Sequence, residues 1–156
     1  MIITLPEAKL HLRVDHDDED ALITSKIIAA ESLVCRYINR GVYADQNTLN
    51  TAKTAAPTAL SAATVVYDAA IEAAALVESV VEKAAAIEAA EQEYLDAQTL
   101  ARMARAGIVT NDSFKAAVML VLGHLYEHRE DVVVGVTVAT LPNGAEYLVE
   151  HLKVYR

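Results

Sequence analysis

From Ala55 to Ala106 the chain carries 19 alanines in 52 residues, and after Pro57 no glycine or proline interrupts the run. Alanine loses no side-chain entropy in a helix and is the strongest helix former, so the stretch has one regular structure open to it. As a single helix it would extend about 75 Å at 1.5 Å per residue. The sequence offers a place to fold back: Ser79-Val80-Val81-Glu82 has the Ser-x-x-Glu form of a capping box, which starts a new helix. Two arms follow from this. The first carries Leu60, Tyr67, Ile71, Ala74 and Val77, the second Ile87, Ala90, Tyr94, Leu95 and Leu100, and Gly107 ends the run. Alanine lets such arms approach closely but buries little apolar area per residue, so they form a thin antiparallel hairpin rather than a core.

The core must come from the flanking segments. Thr4-Leu5-Pro6-Glu7 is a capping box with proline in the first turn, so a short helix opens there and ends near Arg13. The acidic run after it (Asp15, Asp17, Asp18, Glu19, Asp20) fails the calcium-loop pattern. Counting from Asp15, the sixth and twelfth positions hold Asp20 and Lys26 instead of Gly and Glu. These carboxylates are expected to cap and complement the start of a second helix, about 18–39. There Ile23, Ile27, Ala30, Val34 and Tyr37/Ile38 recur at helical spacing. Gly41 stops it, and the polar stretch from there to Ala56 reads as irregular.

Asn111 or Asp112 caps a third helix, about 113–130, whose segment 116–123 is apolar on every face and therefore belongs in the middle of the fold. "DVVVGVTVAT" (131–140) reads as a strand or extended arm, with Val132, Val134, Val136 and Val138 on one face. A lone strand leaves its backbone groups unpaired, and the only other β-like stretch is Met1–Thr4. The expectation is that the arm pairs across a subunit boundary. A Pro/Asn/Gly turn and a short helix or tail close the chain. The fold class is mainly α: one domain over 1–156, with a small helical core (1–44 and 108–156), an inserted Ala-rich antiparallel helical hairpin (about 45–107), and a short strand or arm near the C-terminus.

Charge restricts the function. Thirteen Lys and Arg stand against 22 Asp and Glu, a net of −9 with no basic run, which disfavours a grip on phosphate backbones. The single cysteine, Cys35, excludes a disulfide framework and reads as a small buried apolar residue in a reducing compartment. The first residues lack an apolar run behind a basic start, and no stretch reaches about 18 apolar residues, so the chain reads as neither secreted nor membrane-spanning.

One motif points to chemistry. His124-Leu125-Tyr126-Glu127-His128 fits H-x-x-E-H, in which two histidines one helical turn apart hold zinc and the glutamate activates a bound water. Nothing identifies a third ligand among Glu130, Glu146 and Glu150, and the Ala-rich run cannot wall a cleft. The plainer reading is that both histidines pack at the helix end and bond locally, with no cofactor and no metal.

The same string, "GHLYEHREDVVVG" (123–135) before "LPNGAEYLVEHLKVYR", resembles the head–tail connector (adaptor, or head-completion) proteins of tailed bacteriophages. The opening "ITLPEAKLHLRVDHDDEDALITSKIIAAESLVCRYINR" (3–40) resembles the start of that family. The resemblance covers about 2–41 and 108–156, and the Ala-rich insert is the departure. It implies a non-enzymatic, mainly helical virion subunit at the head–tail junction, made in the host cytoplasm. The subunit assembles as a homo-oligomeric ring, a dodecamer in the virion, that extends the DNA channel beneath the portal protein and offers a face to the next tail-side protein. DNA passes without specific binding, and no membrane is involved. Gly123, Tyr126, Arg129 and Glu130 match the end of the family's central helix, and Leu141 and Pro142 the turn before its C-terminal segment. With the four valines of the arm, Leu141 and Pro142 are the candidate assembly interface. The alternatives are a small zinc hydrolase using His124, Glu127 and His128, and a cytoplasmic helical-hairpin binding protein that forms no ring.

Overall fold

The computed structural model describes residues 1–128 and 142–155. Helix α1, Leu5–Leu12, is capped as expected: the Thr4 hydroxyl accepts from the Glu7 N–H, while Glu7 accepts from the Thr4 N–H at 2.8 Å. It stops on Arg13, whose positive φ of 58° breaks the helix. Helix α2, Asp20–Ile38, ends likewise on Asn39 at φ 55°. Strand β1 is Val42–Tyr43. Helices α3, Gln46–Ala75, and α4, Val80–Arg105, lead to strand β2, Ile108–Val109. Helix α5 is Asp112–Glu127, and α6, Asn143–Val149, runs into a 3-10 turn over Glu150–Leu152.

The core forms where α2 meets α5. Ile23, Ile27, Ala30, Val34 and Ile38 are fully buried on one face of α2, and they meet Phe114, Ala117, Val118, Val121 and Leu122 of α5. Ile3, Ala8 of α1, and Ala145 and Val149 of α6 close the remaining sides. Each fully buried Ile, Val, Leu or Phe here is worth about 1.5–3 kcal/mol of transfer free energy, so this seam dominates stability. Two polar contacts pin one end of it, where α2 starts and α5 finishes. Lys26 Nζ donates to the Leu125 carbonyl, one of the acceptors the end of α5 leaves unpaired, and Tyr126 Oη donates to the Glu19 carboxylate.

Several expectations need correction. The acidic residues do not cap α2: Glu19 stands at its N-cap without a side-chain capping bond. Asp17 and Asp20 instead hold Lys9 Nζ at 2.6 and 2.8 Å, tying α1 to the start of α2. Helix α5 is not buried all round, since Leu120 is 43% exposed, and it ends at Glu127 because His128 turns extended. Met1–Thr4 is not a strand. The Ile2 and Ile3 N–H groups both donate to Glu31 Oε1 on α2, the latter at 2.8 Å.

The polar stretch after Tyr43 is helical from Gln46. Asp45 caps it by accepting the Thr48 N–H at 2.8 Å, and the Thr51 and Thr54 hydroxyls bond back to the carbonyls of Asn47 and Asn50. Only Leu49 of its first turns is buried, so the apolar period was too sparse to read. Helices α3 and α4 lie along each other, with the turn at 76–79 and Ser79 capping α4. Tyr67 stacks on Tyr94 at 5.2 Å, and Ala74 and Ala90 are buried between the arms. Leu95 and Leu100, expected to face inward, point to solvent.

Strands β1 and β2 pair in parallel, Val42 opposite Ile108 and Tyr43 opposite Val109, and two-residue strands carry no period that a sequence can reveal. The pair is a neck through which the hairpin leaves and re-enters the core. The Ile108 N–H donates to the Gly41 carbonyl at 3.0 Å, Thr110 N–H to Tyr43 at 2.8 Å, and Gly41 N–H to Met103 at 2.9 Å. Gly107 fits only as glycine. A Cβ there would lie 2.8 Å from the Ala104 carbonyl oxygen, from Leu49 Cδ1 and from Tyr43 Cε2. Gly123, inside α5, has room, with His11 Nε2 as the nearest atom at 3.6 Å. Gly107→Ala should therefore lower stability by about 1–3 kcal/mol through overpacking. Gly123→Ala should be neutral or raise it by about 0.5–1 kcal/mol through helix propensity. Thermal unfolding of both variants checks the pair of signs. A wild-type melting curve for Gly107→Ala would contradict the neck packing.

Candidate functional site

The H-x-x-E-H residues lie at the end of α5, where helix gives way to extended chain. His124 is within the helix and His128, at φ −100° and ψ 92°, is its C-cap, with its N–H still donating to the His124 carbonyl at 3.0 Å, so the two side chains keep the one-turn spacing that the zinc motif uses. The two rings face each other with centroids 4.5 Å apart, and His128 Nδ1 lies 3.1 Å from the His124 carbonyl oxygen. Both side chains are exposed rather than packed in the core, contrary to expectation, because α5 turns its buried face away from them. Among the described residues, no three His, Cys, Asp or Glu side chains converge as a metal site would require. Of the third-ligand candidates, Glu150 is engaged with two tyrosines, and Glu130 lies outside the described residues.

The residues matched to the central helix end have structural work. Tyr126 binds Glu19 at the start of α2, and Gly123 sits against α1 beside His11. Pro142 is the N-cap of α6, and its carbonyl accepts the N–H groups of Ala145 at 2.8 Å and Glu146 at 3.3 Å. Arg129, Val132, Val134, Val136, Val138 and Leu141 lie outside the described residues. Cys35 is half-buried against the core, and desolvation pushes its thiol up to about 11, which makes it an inert thiol.

Two carboxylates organise the surface in roles that sequence reading did not give them. Glu31 takes the N-terminal amides on the edge of α2, and its side chain is only 14% exposed. Its position, one turn after Ile27 and one before Val34, was a signal: a charged residue on a buried stripe needs a partner. Glu150 organises the C-terminal segment. Its carboxylate accepts the Tyr37 hydroxyl at 2.7 Å and also that of Tyr155, while Lys153 Nζ lies 4.0 Å from the Tyr37 ring centroid. Nearby, the Val154 N–H donates to the Ile38 carbonyl and Asn39 Nδ2 to the Val154 carbonyl, both at 3.0 Å. The tail is thus laced onto the end of α2, around a shallow polar depression that Glu146 and Tyr147 help to line.

The described residues thus form a small helical core with a capped N-terminal helix and a laced C-terminal tail, and among them there is no metal-binding cluster. The family model described as "Phage gp6-like head-tail connector protein" matches residues 2–153. The chain belongs to that family. It is therefore a structural, non-enzymatic component of the phage head–tail junction, and the zinc hydrolase reading falls away. No curated protein and no solved structure matches this connector. No described helix of the connector is long and apolar enough to cross a membrane.

The tail lacing gives a pH signature. The bond to Glu150 raises the Tyr37 phenol from its ordinary 10.0 to about 12, and the bonds from Tyr155 and Tyr37 hold Glu150 below its ordinary range. A raised tyrosine supports the fold fully below pH 10.0 and loses that support as pH climbs through about 12. A lowered carboxylate supports it above its ordinary 4.5 and loses that as pH falls through its depressed value. In an alkaline titration of tyrosinate absorbance, one of the seven tyrosines should ionise near 12, and Glu150→Gln should bring it back toward 10. A single wave near 10 for all seven in the wild type would contradict the clamp.

Proposed function

We propose that this connector assembles as a closed homo-oligomeric ring, a dodecamer in the virion, beneath the portal protein. The ring continues the DNA channel and presents a face to the next tail-side head-completion protein. The observation that carries this is family membership over nearly the whole chain. The net charge of −9 is consistent with a conduit that lets DNA pass without holding it, since retention requires clustered cations.

The assembly element in this reading is the segment between α5 and α6. Val132, Val134, Val136 and Val138 share one face if it is extended, and Leu141 and Pro142 fix its return into α6. Strand addition to a neighbour satisfies backbone groups that one strand leaves open. The neighbour's equivalent arm is the favoured partner, because the Ile2 and Ile3 N–H groups are already taken by Glu31. Val134→Pro and Val136→Pro each remove one N–H and fix φ, so at least one should abolish the ring while helical circular dichroism stays normal. Particle images of the purified chain, alone and with its cognate portal, read the result. Strict monomers in both conditions overturn the ring. Wild-type assembly by both proline variants overturns the arm.

A further inference from the structure

The hairpin has its charge sorted by distance from the core. Residues 60–96, its distal part, hold eight carboxylates and one cation, Lys83. The root holds the reverse: Arg36 and Arg40 at the end of α2, Lys53 on α3, and Arg102 and Arg105 in the last turns of α4. Among the described residues the carboxylates there are fewer: Asp45, which caps α3, Asp112 at the start of α5, and Glu146 and Glu150 beside Tyr37. Among the described residues none of these five cations and none of the eight distal carboxylates is in an ion pair. Arg40 Nε is buried without a hydrogen-bond partner.

Within one chain most of the acidic group stands apart from the root: along α4, Asp96 is about 9 Å, Glu88 about 21 Å and Glu82 about 30 Å from Arg102 at 1.5 Å per residue. Helix α3, at 30 residues, is about 45 Å long at 1.5 Å per residue. A core of roughly 90 residues has a radius of gyration of about 12 Å and measures roughly 30 Å across. The arm is thus longer than the body it stands on, and its acidic part is held away from its own basic root by the rigidity of two packed helices. A second copy has no such constraint. The distal arm also exposes apolar side chains that its own fold leaves uncovered: Leu76, Val80 and Val81 at the tip are 86%, 80% and 79% exposed, and Val65 and Leu95 on the shaft are exposed as well.

We infer that the distal hairpin of one copy docks on the basic neck of the next copy, a head-to-tail contact between two different surfaces of the same chain. Such a contact repeats around a ring and closes it when the rotation allows. This rests on the ring reading above and assigns the hairpin, which neither the strand-addition arm nor the core requires, to clamping neighbours together. The occupant is a copy of this chain because the neck is the basic surface that matches the arm's charge.

Charge exchange tests it. Glu88→Lys, Glu91→Lys and Glu93→Lys together reverse the arm, and Lys53→Glu, Arg102→Glu and Arg105→Glu reverse the neck. All six positions are exposed on helices. Sedimentation of the full chain, alone and with its cognate portal, gives the assembly constant. Either triple variant should loosen assembly by about tenfold or more, and the combination of both should recover it. The neutral set Glu88→Gln, Glu91→Gln and Glu93→Gln, which keeps helix propensity, should loosen it by a smaller factor. Rings unaffected by every variant overturn the inference and leave the ring reading standing, as does loosening that the combination fails to rescue. A wild-type chain that never assembles overturns both.

Discussion

Everything in this subunit depends on the apolar seam between α2 and α5. Ile27 and Ile38 on one side and Phe114 and Leu122 on the other are fully buried, and α6 packs on the same α5 through the smaller Ala145 and Val149. The small residues Ala30 and Ala117 within the seam let the two backbones approach, which is how ridges of one helix enter the grooves of another. The other core elements are positioned from it: α1 and the first residues by Glu31 and Lys9, α6 by Ala145 and Val149, the tail by Ile38, Asn39 and Glu150.

The seam also explains how the chain tolerates a long insertion between its two central helices. The hairpin leaves after α2 and returns before α5 through a parallel pair of two-residue strands, sealed by Gly107 against Tyr43 and Leu49. Beyond that neck it touches the core little. Because its stability comes from its own alanine packing and the Tyr67–Tyr94 stack, it adds length to the subunit without drawing on the core. A structural head–tail connector can carry such an appendage, whereas an enzyme of this size needs its residues to enclose a cleft.

The parts legible in the sequence were those with a long period or a local rule. The stripe Ile23–Ile27–Ala30–Val34–Ile38, the Thr4–Glu7 capping box and the start of α4 at Ser79 each announced themselves. The elements that escaped reading lack either kind of signal. Strands of two residues have no alternation, and the first turns of α3 bury only Leu49 among polar side chains. The acidic run before α2 was assigned to capping because local rules favour it, whereas tertiary geometry gives Asp17 and Asp20 to Lys9 and Glu19 to Tyr126. The H-x-x-E-H string shows the opposite hazard. Its letters match a zinc motif and its histidines lie one turn apart, but among the described residues no third ligand joins them. The valine arm and Leu141 lie outside the described residues, so the sequence remains the only guide to them.

The central claim is that the α2–α5 seam folds the core by itself and the hairpin is an independent appendage. Replacing residues 46–105 with a short Gly/Ser linker and following thermal unfolding by circular dichroism tests this most directly. The account predicts a helical protein that unfolds in one cooperative transition, since every large fully buried side chain lies outside the excised segment. A broad, non-cooperative loss of signal, or a chain without helix, would contradict it.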